Sequence, residues 1–171
     1  MNIAKQRKSN RLMGYDYSQN GAYFITVCIQ DRQTLLGEIS VKSNPTHPED
    51  TAVLIPSELG RLVIQETEKL MTIYSHITLD CYVIMPNHVH MIIAIDNVAY
   101  HEQMPYKTLV LPTVSRIIKQ WKGVITKKAG FSPWQKSFHD HIIRNTRDYM
   151  HIREYIENNP AQWELDCFYK K

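Results

Sequence analysis

Two histidines stand one residue apart, directly after a break between two apolar runs. The motif reads Pro86-Asn87-His88-Val89-His90, and the flanking runs are short and rich in β-branched residues. Such runs are typical of strands, and Pro-Asn between them predicts a turn, so the stretch predicts a β-hairpin. Because strand side chains alternate between faces, both imidazoles point from one face, about 7 Å apart. The pattern fits half of a metal site, but H-x-H alone is more often a pair of partly buried, hydrogen-bonded histidines.

A tyrosine on the last predicted helix is a second candidate for chemistry. That helix, Thr146–Asn158, has an apolar face that includes Tyr149, and Tyr155 lies on the flank of this face. Asn159 follows about one helical turn after Tyr155. A tyrosine at the edge of a core is usually a packing residue, so the type and position of Tyr155 do not identify a catalyst by themselves.

The hydrophobic periodicity predicts a sheet with helices packed on it. The strand at residues 23–29 is apolar on both faces and is therefore expected to be central. The order of elements indicates an α+β fold with an antiparallel sheet. Besides the central hairpin, the predicted elements are the strands Tyr23–Ile29 and Phe138–Ile143, a small hairpin made of Leu35–Ile39 and Ala52–Ile55, and the helices Pro56–Met71, Thr113 or Ser115 to about Lys128, and Thr146–Asn158, capped by Asn145 or Thr146.

Composition and charge fit one globular domain. The chain has 171 residues, of which 43% are hydrophobic and 22% charged. We therefore expect a single domain over residues 1–171 with a substantial core. No apolar run is long enough to predict a membrane span. The three cysteines, Cys28, Cys81 and Cys167, predict neither a disulfide framework nor a zinc-ligand pair, which fits a reducing cytoplasm.

Basic residues concentrate in two places, and the net charge of +3 permits an anionic partner. Residues 1–20 are interpreted as a basic arm that lies on the surface or on a ligand. The second long helix carries cations on the side opposite to its apolar stripe, which is as typical of a solvated face as of a phosphate-binding one. The candidate cations are Lys5, Arg7, Lys8 and Arg11 in the arm, and Arg116, Lys119 and Lys122 on the helix.

Three segments, taken together, resemble a known family. They are Arg11–Ile39 (RLMGYDYSQNGAYFITVCIQDRQTLLGEI), Tyr82–Ile93 (YVIMPNHVHMII) and Trp134–Pro160 (WQKSFHDHIIRNTRDYMHIREYIENNP). They resemble the REP-associated tyrosine transposases, which are single-tyrosine transposases of the histidine–hydrophobic–histidine endonuclease superfamily. A P-N-H-x-H motif followed by a Y-I-x-x-N-P helix is a specific combination, whereas H-x-H alone is not.

The resemblance implies a fold and a set of site residues. The fold is a ferredoxin-like antiparallel sheet, with the metal-binding histidines on a central strand and the tyrosine on a helix beneath it. Tyr155 corresponds to the nucleophile, and His88, His90 and Asn159 correspond to the ligands of Mg²⁺ or Mn²⁺. Considered without the resemblance, two imidazoles and an amide suit Mn²⁺ or Zn²⁺ better than Mg²⁺, which prefers oxygen ligands.

The reaction that the resemblance implies is DNA transposition at hairpin-forming repeat elements. Tyr155 would attack a backbone phosphate of single-stranded DNA, form a 5′-phosphotyrosine bond and free a 3′-hydroxyl, so that the strand is rejoined without ATP. His141 and Arg144 lie in a family-like segment and are candidate substrate contacts. The two groups of cations would track the DNA backbone. Related enzymes can be dimers that share active sites, so a homodimer is also expected as an alternative to a monomer.

Three other functions remain open from the sequence. The chain could be a domesticated protein that binds DNA hairpins without mobility. It could be an unrelated metal-dependent phosphodiesterase. It could also be an RNA-binding ferredoxin-like module, whose sheet would show exposed aromatic side chains; Tyr23, Phe24 and Tyr82 are the only candidates on the central strands.

Overall fold

Four antiparallel strands and the helices packed on both of their faces make up the fold. The structure, a computed structural model, describes residues 14–41, 52–98 and 112–169. In chain order the elements are β1 Gly21–Cys28, β2 Gly37–Val41, β3 Ala52–Pro56, α1 Glu58–Glu68, α2 Leu70–Ile73, β4 Ile77–Met85, β5 His88–Ile95, α3 Val114–Ala129, β6 His139–Ile143 and α4 Thr146–Asn158. Short 3₁₀ turns lie at Gln30–Arg32 and Trp163–Leu165.

The main sheet has the strand order β4-β5-β1-β6, and β2 pairs only with β3 in a separate hairpin. All three pairs of neighbouring strands in the main sheet are antiparallel. Apart from the small hairpin, α2 and the final helix α4, the chain runs β1-α1-β4-β5-α3-β6, which is the ferredoxin-like arrangement. The predicted fold class is therefore confirmed, and the histidine strand β5 lies between β4 and β1, as predicted.

The alternation of side chains gives the sheet two different faces. Val89, Met91 and Ile93 of β5 point to the main core, which α1 and α3 complete with residues such as Val63 and Ile117. The residues between them point the other way, where Ile92 packs against Ile152 and Ile156 of α4. Because the strand period is two, His88 and His90 share the face of Ile92 and lie beneath α4.

Several predicted bounds differ from the observed ones by one or two residues, and at the start of β2 a long-range contact explains the difference. β2 begins at Gly37 instead of Leu35, because Leu36 is fully buried and its N–H donates to the carbonyl of Pro86, outside the hairpin. The predicted helix 56–71 is divided at Lys69 into α1 and α2, and Ser57 caps its start. The loop predicted between β2 and β3, at residues 42–51, lies outside the described residues.

The caps of the two later helices distinguish between the alternatives that the sequence left open. The Thr113 hydroxyl accepts from the N–H of Arg116 and caps α3. The Asn145 side chain accepts from the N–H of Asp148 and caps α4, whose bounds are the predicted ones. Each cap satisfies one of the N–H groups that a helix start leaves without an intrahelical partner.

The described end of the predicted N-terminal arm belongs to the folded domain. The rings of Tyr15 and Tyr17 pack on the buried Tyr23, with centroid distances of 6.3 and 6.0 Å. The Tyr23 hydroxyl donates to the carbonyl of Gln19. The four basic residues predicted for the arm, Lys5, Arg7, Lys8 and Arg11, lie outside the described residues. Among the residues that the structure describes, no helix has both the length and the apolar character needed to cross a membrane.

Candidate active site

The turn before β5 fixes the orientation of the first histidine. The Asn87 amide nitrogen donates to two backbone carbonyls, of Phe168 at 2.8 Å and of Arg32 at 3.3 Å. The Asn87 side-chain oxygen lies 2.8 Å from His88 Nδ1. An amide oxygen only accepts, so Nδ1 of a neutral His88 carries the proton and Nε2 keeps its lone pair. This is the tautomer that a metal ligand needs at Nε2.

His90 is held between β1 and α4. Its Nδ1 lies 2.8 Å from the Thr26 hydroxyl, and Thr26 is its direct partner in the β1–β5 register. Its Nε2 lies 3.2 Å from the Tyr155 hydroxyl. The ring centroids of His88 and His90 are 4.4 Å apart, so the two imidazoles share one small space.

The helix α4 brings the tyrosine and the asparagine to the same place. The Tyr155 hydroxyl donates to the Asp166 carboxylate at 2.9 Å, and the Asn159 amide nitrogen donates to the same oxygen at 2.7 Å. The ring of Tyr155 stands edge-on to that of Phe24, 6.2 Å between centroids, which holds the side chain beside the sheet. The four residues that the sequence singles out as nucleophile and metal ligands therefore lie together.

Asp166 is the part of the site that sequence reasoning missed. One ligand atom from each of His88, His90 and Asp166 lies within 4.8 Å of the other two, and no other such group of three occurs in the described part of the chain. Asp166 follows the short 3₁₀ turn after α4, in a segment without periodicity. The available signal was weak: an acidic residue within the aromatic tail that follows the family-like helix.

Unpartnered buried atoms indicate what this cluster can hold. His88 Nε2 and Asn159 Oδ1 are both buried without a hydrogen-bond partner. Both are acceptors with free lone pairs, and orphaned acceptors are rare in protein interiors because their desolvation is not compensated. With the imidazole of His90 and the carboxylate of Asp166, they form a set of nitrogen and oxygen donors that fits a divalent cation.

Burial sets the protonation of the site. His88 is 0% exposed and His90 is 1% exposed. Burial lowers the pKa of both imidazoles, and for His90 the neighbouring His88 lowers the pKa further. Burial and the Asp166 carboxylate raise the pKa of the Tyr155 hydroxyl. At neutral pH the site therefore holds neutral imidazoles and a protonated phenol.

The tail after α4 closes the site. The Phe168 ring lies 4.6 Å from that of His88, and the Trp163 ring lies 6.1 Å from it. The Arg32 guanidinium stacks over Phe168 at 5.2 Å and donates to the carbonyl of Cys167. With these rings packed over them, the imidazoles have almost no exposed surface.

The second tyrosine of α4 is placed differently. Tyr149 packs against the small core around Ile92, as predicted, but it is only partly buried. Its hydroxyl accepts from Arg153, 2.9 Å away, on the outer side of the helix. Tyr149 thus contacts neither histidine in the described structure, whereas Tyr155 contacts His90.

Of the predicted DNA contacts, the five that lie within the described residues make no hydrogen bond or ring contact with this cluster. Arg116 and Lys119 are exposed on α3, on the opposite side of the sheet. Lys122 is half-buried, and its ammonium donates to the carbonyls of Gln135 and Ser137. The imidazole of His141 pairs with Asp148, and Arg144 is exposed beside it.

The aromatic residues on the sheet do not form an exposed stacking surface. Tyr23 is fully buried in the main core. Phe24 packs against His90 beneath α4, and Tyr82 is half-buried with its hydroxyl bonded to Glu68. An RNA-binding sheet stacks bases on open aromatic rings. The structure therefore disfavours that alternative.

Comparison with known proteins supports the fold. No family model matches the chain. A Haemophilus influenzae protein, described as uncharacterized, is 33% identical over 177 residues, covering 95% of this chain and 93% of the relative. A solved REP-associated tyrosine transposase, bound to a REP hairpin, superposes with a TM-score of 0.58 at 21% identity, covering 90% of this chain and 74% of that one. The chain therefore belongs to the same family as the Haemophilus influenzae protein and has the fold of a REP-associated tyrosine transposase.

Proposed function

We propose that the protein is a metal-dependent single-stranded DNA endonuclease and transposase acting at hairpin-forming repeats. The observation that carries the proposal is the contact of Tyr155 with both His90 and Asp166, which belong to the one His and carboxylate cluster in the described residues that could hold a cation. The solved transposase of the same fold is bound to a REP hairpin. Under this proposal the substrate is hairpin DNA, and the protein works in the cytoplasm, where its free cysteines stay reduced.

The metal ligands are proposed to be His88, His90 and Asn159, with Asp166 adding a carboxylate. Thr26 and Asn87 hold the two imidazoles through their Nδ1 atoms. His88 Nε2 has no hydrogen-bond partner and would bind the ion directly, whereas His90 Nε2 would exchange its contact with the Tyr155 hydroxyl for the ion. When bound, Mg²⁺ or Mn²⁺ would polarise the scissile phosphate and offset the charge that develops on it. Two imidazole donors favour Mn²⁺ over Mg²⁺.

Tyr155 is proposed as the nucleophile. Its oxygen attacks the scissile phosphorus, and a Tyr–O–P bond forms as the bond from phosphorus to the 3′ oxygen breaks. The phenol proton passes to the Asp166 carboxylate, which already accepts the hydrogen bond from this hydroxyl. The 3′ oxygen takes up a proton from water and leaves as a hydroxyl, and Asp166 returns its proton to the solvent. Attack by that or another 3′-hydroxyl on the phosphotyrosine reverses these steps and rejoins the strand.

A DNA-hairpin-binding protein without cleavage is the second candidate, and the closed state of the tail is what favours it. In the described structure the Phe168 ring packs on that of His88, and the Tyr155 hydroxyl is bonded to Asp166. If the tail does not open, the basic surfaces still bind DNA and Tyr155 never reaches a phosphate. The two functions differ in one observable, the covalent protein–DNA adduct.

The experiment incubates the protein with a labelled hairpin that carries a single-stranded extension, in the presence of Mn²⁺, and separates the products on a denaturing gel. The wild-type protein is expected to form a covalent adduct, and Tyr155→Phe is expected to form none. Tyr149→Phe removes the same atom from the same helix and serves as the matched control, which retains the adduct. An adduct formed by Tyr155→Phe would refute the assignment of Tyr155 as the nucleophile. If the wild-type protein formed no adduct with any hairpin, the binding-only function would be favoured.

A further inference from the structure

A basic groove lies on the other side of the sheet from the histidines. It runs between α3 and the loop at residues 134–138, and its volume is about 820 Å³. Four cations line it: Arg116, Lys119, Lys122 and Lys136. None of its lining residues is acidic. A concave surface with one sign of charge concentrates the potential that attracts a polyanion.

Three of these cations are available to a ligand. Arg116, Lys119 and Lys136 are exposed, and none of them takes part in the ion pairs found in the described part of the chain. Arg116 and Lys119 are three residues apart on α3, so they project from the same side of the helix. Lys136 faces them from the loop. This arrangement leaves a row of positive charge with nothing in the described structure to neutralise it.

Lys122 has a different role in the same groove. Its ammonium donates to the carbonyls of Gln135 at 2.5 Å and Ser137 at 3.4 Å, and burial lowers its pKa. It therefore ties the loop to α3 and gives the groove its second wall. The sequence groups Lys122 with Arg116 and Lys119 as a predicted DNA contact. In the structure its ammonium instead donates to backbone carbonyls of the protein.

The groove opens at the catalytic end of the sheet. The N–H of Gln135 donates to the carbonyl of Cys28, at the end of β1 that pairs with His88. His139, directly after the loop, is exposed and pairs with Thr26, which in turn pairs with His90. His139 and His90 are therefore separated by two strand spacings, about 10 Å, on the same face of the sheet. A DNA strand that has passed around the edge strand β6 to His139 would need only a few more nucleotides to reach His90.

We propose that this groove binds the sugar-phosphate backbone of the DNA that leads to Tyr155, with Arg116, Lys119 and Lys136 as phosphate contacts. The strand then passes around β6 beside His139 and enters the site beneath α4. This inference rests on the proposed function for its choice of polyanion. It goes further by assigning the path of the substrate. It also adds Lys136 to the predicted DNA contacts and removes Lys122 from them.

The test measures equilibrium binding of a fluorescent hairpin with a single-stranded extension over a series of salt concentrations. All proteins carry Tyr155→Phe, so that no cleavage occurs. The test variant is Arg116→Gln/Lys119→Gln, and the control is Arg61→Gln/Lys127→Gln, which removes one arginine and one lysine from exposed helical positions outside the groove. Each lost phosphate contact lowers the slope of log affinity against log salt by about 0.7–0.9.

We expect the slope to fall by about 1.4–1.8 in the test variant and to stay unchanged in the control, with a further fall of about 0.7–0.9 on adding Lys136→Gln. Equal slopes in the test and control variants would overturn the proposal that the groove binds DNA. Failure of the parent Tyr155→Phe protein, with all four groove cations intact, to bind hairpin DNA would overturn it as well. Slopes that change as expected, together with a wild-type protein that forms no covalent adduct, would support the groove and refute only the proposed cleavage.

Discussion

The two sides of the sheet carry polar sites of opposite character. Beneath α4, the histidines are buried and neutral, and each bonds through Nδ1 to a neighbouring side chain. Beside α3, Arg116, Lys119 and Lys136 are exposed and unpaired in the described structure. Chemistry on a phosphate needs desolvated groups in fixed positions, because preorganised charges act strongly where water is excluded. Binding a long polyanion needs exposed charges over a wide area.

The difference predicts that the two sites can be disabled independently. His88→Ala removes a proposed metal ligand without changing the protein's charge, so cleavage should fall below detection while hairpin affinity stays unchanged. Arg116→Gln/Lys119→Gln should do the reverse, with weaker binding at physiological salt and normal cleavage at saturating DNA. Parallel binding and single-turnover cleavage assays measure both quantities. If either variant lost both activities in equal measure, the separation into two sites would be wrong.

A divalent metal ion should bind the buried site and should not bind the groove. A cation that binds only the folded state at 100 times its dissociation constant adds about 2.7 kcal/mol to the free energy of unfolding. Mn²⁺ should therefore raise the melting temperature of the wild-type protein. Asp166→Asn should weaken Mn²⁺ affinity by at least about tenfold, since it removes the only carboxylate in the cluster.

Glu164 provides the control for that measurement, because it is an exposed carboxylate in the same tail. Glu164→Gln should bind Mn²⁺ like the wild-type protein in calorimetry. The same affinity in Asp166→Asn and Glu164→Gln would remove Asp166 from the ligand set. The assignment of His88, His90 and Asn159 would then have to stand without it.

The smallest expected effect distinguishes two lysines of the groove. Lys122→Met keeps the aliphatic stem but loses the bonds to Gln135 and Ser137, so the free energy of unfolding should fall by about 1–2 kcal/mol. Lys119→Met lies on the exposed side of the same helix and should change it by less than about 0.5 kcal/mol. Chemical denaturation measures both values. Equal stabilities would mean that Lys122 does not hold the loop.

Periodic patterns predicted most of the fold and the histidine side of the site. The strand alternation around His88 and His90 and the helical pattern of α4 depend on neighbours in sequence, and the structure agrees with both. Asp166 could not be found this way, because its role depends on contacts with Tyr155 and Asn159 made by a non-periodic tail. Lys122 has the same spacing as Lys119, and only the packing of a distant loop distinguishes the two.

The most direct test of the central claim is to locate the DNA on the protein. Arg153 lies between the two tyrosines of α4, so trypsin places Tyr149 in the peptide 148–153 and Tyr155 in the peptide 154–170. After reaction with a short single-stranded hairpin substrate and nuclease trimming, tandem mass spectrometry should find the nucleotide on Tyr155. A nucleotide on the peptide 148–153, or on Tyr169 within the second peptide, would contradict the assignment of the buried cluster as the catalytic site.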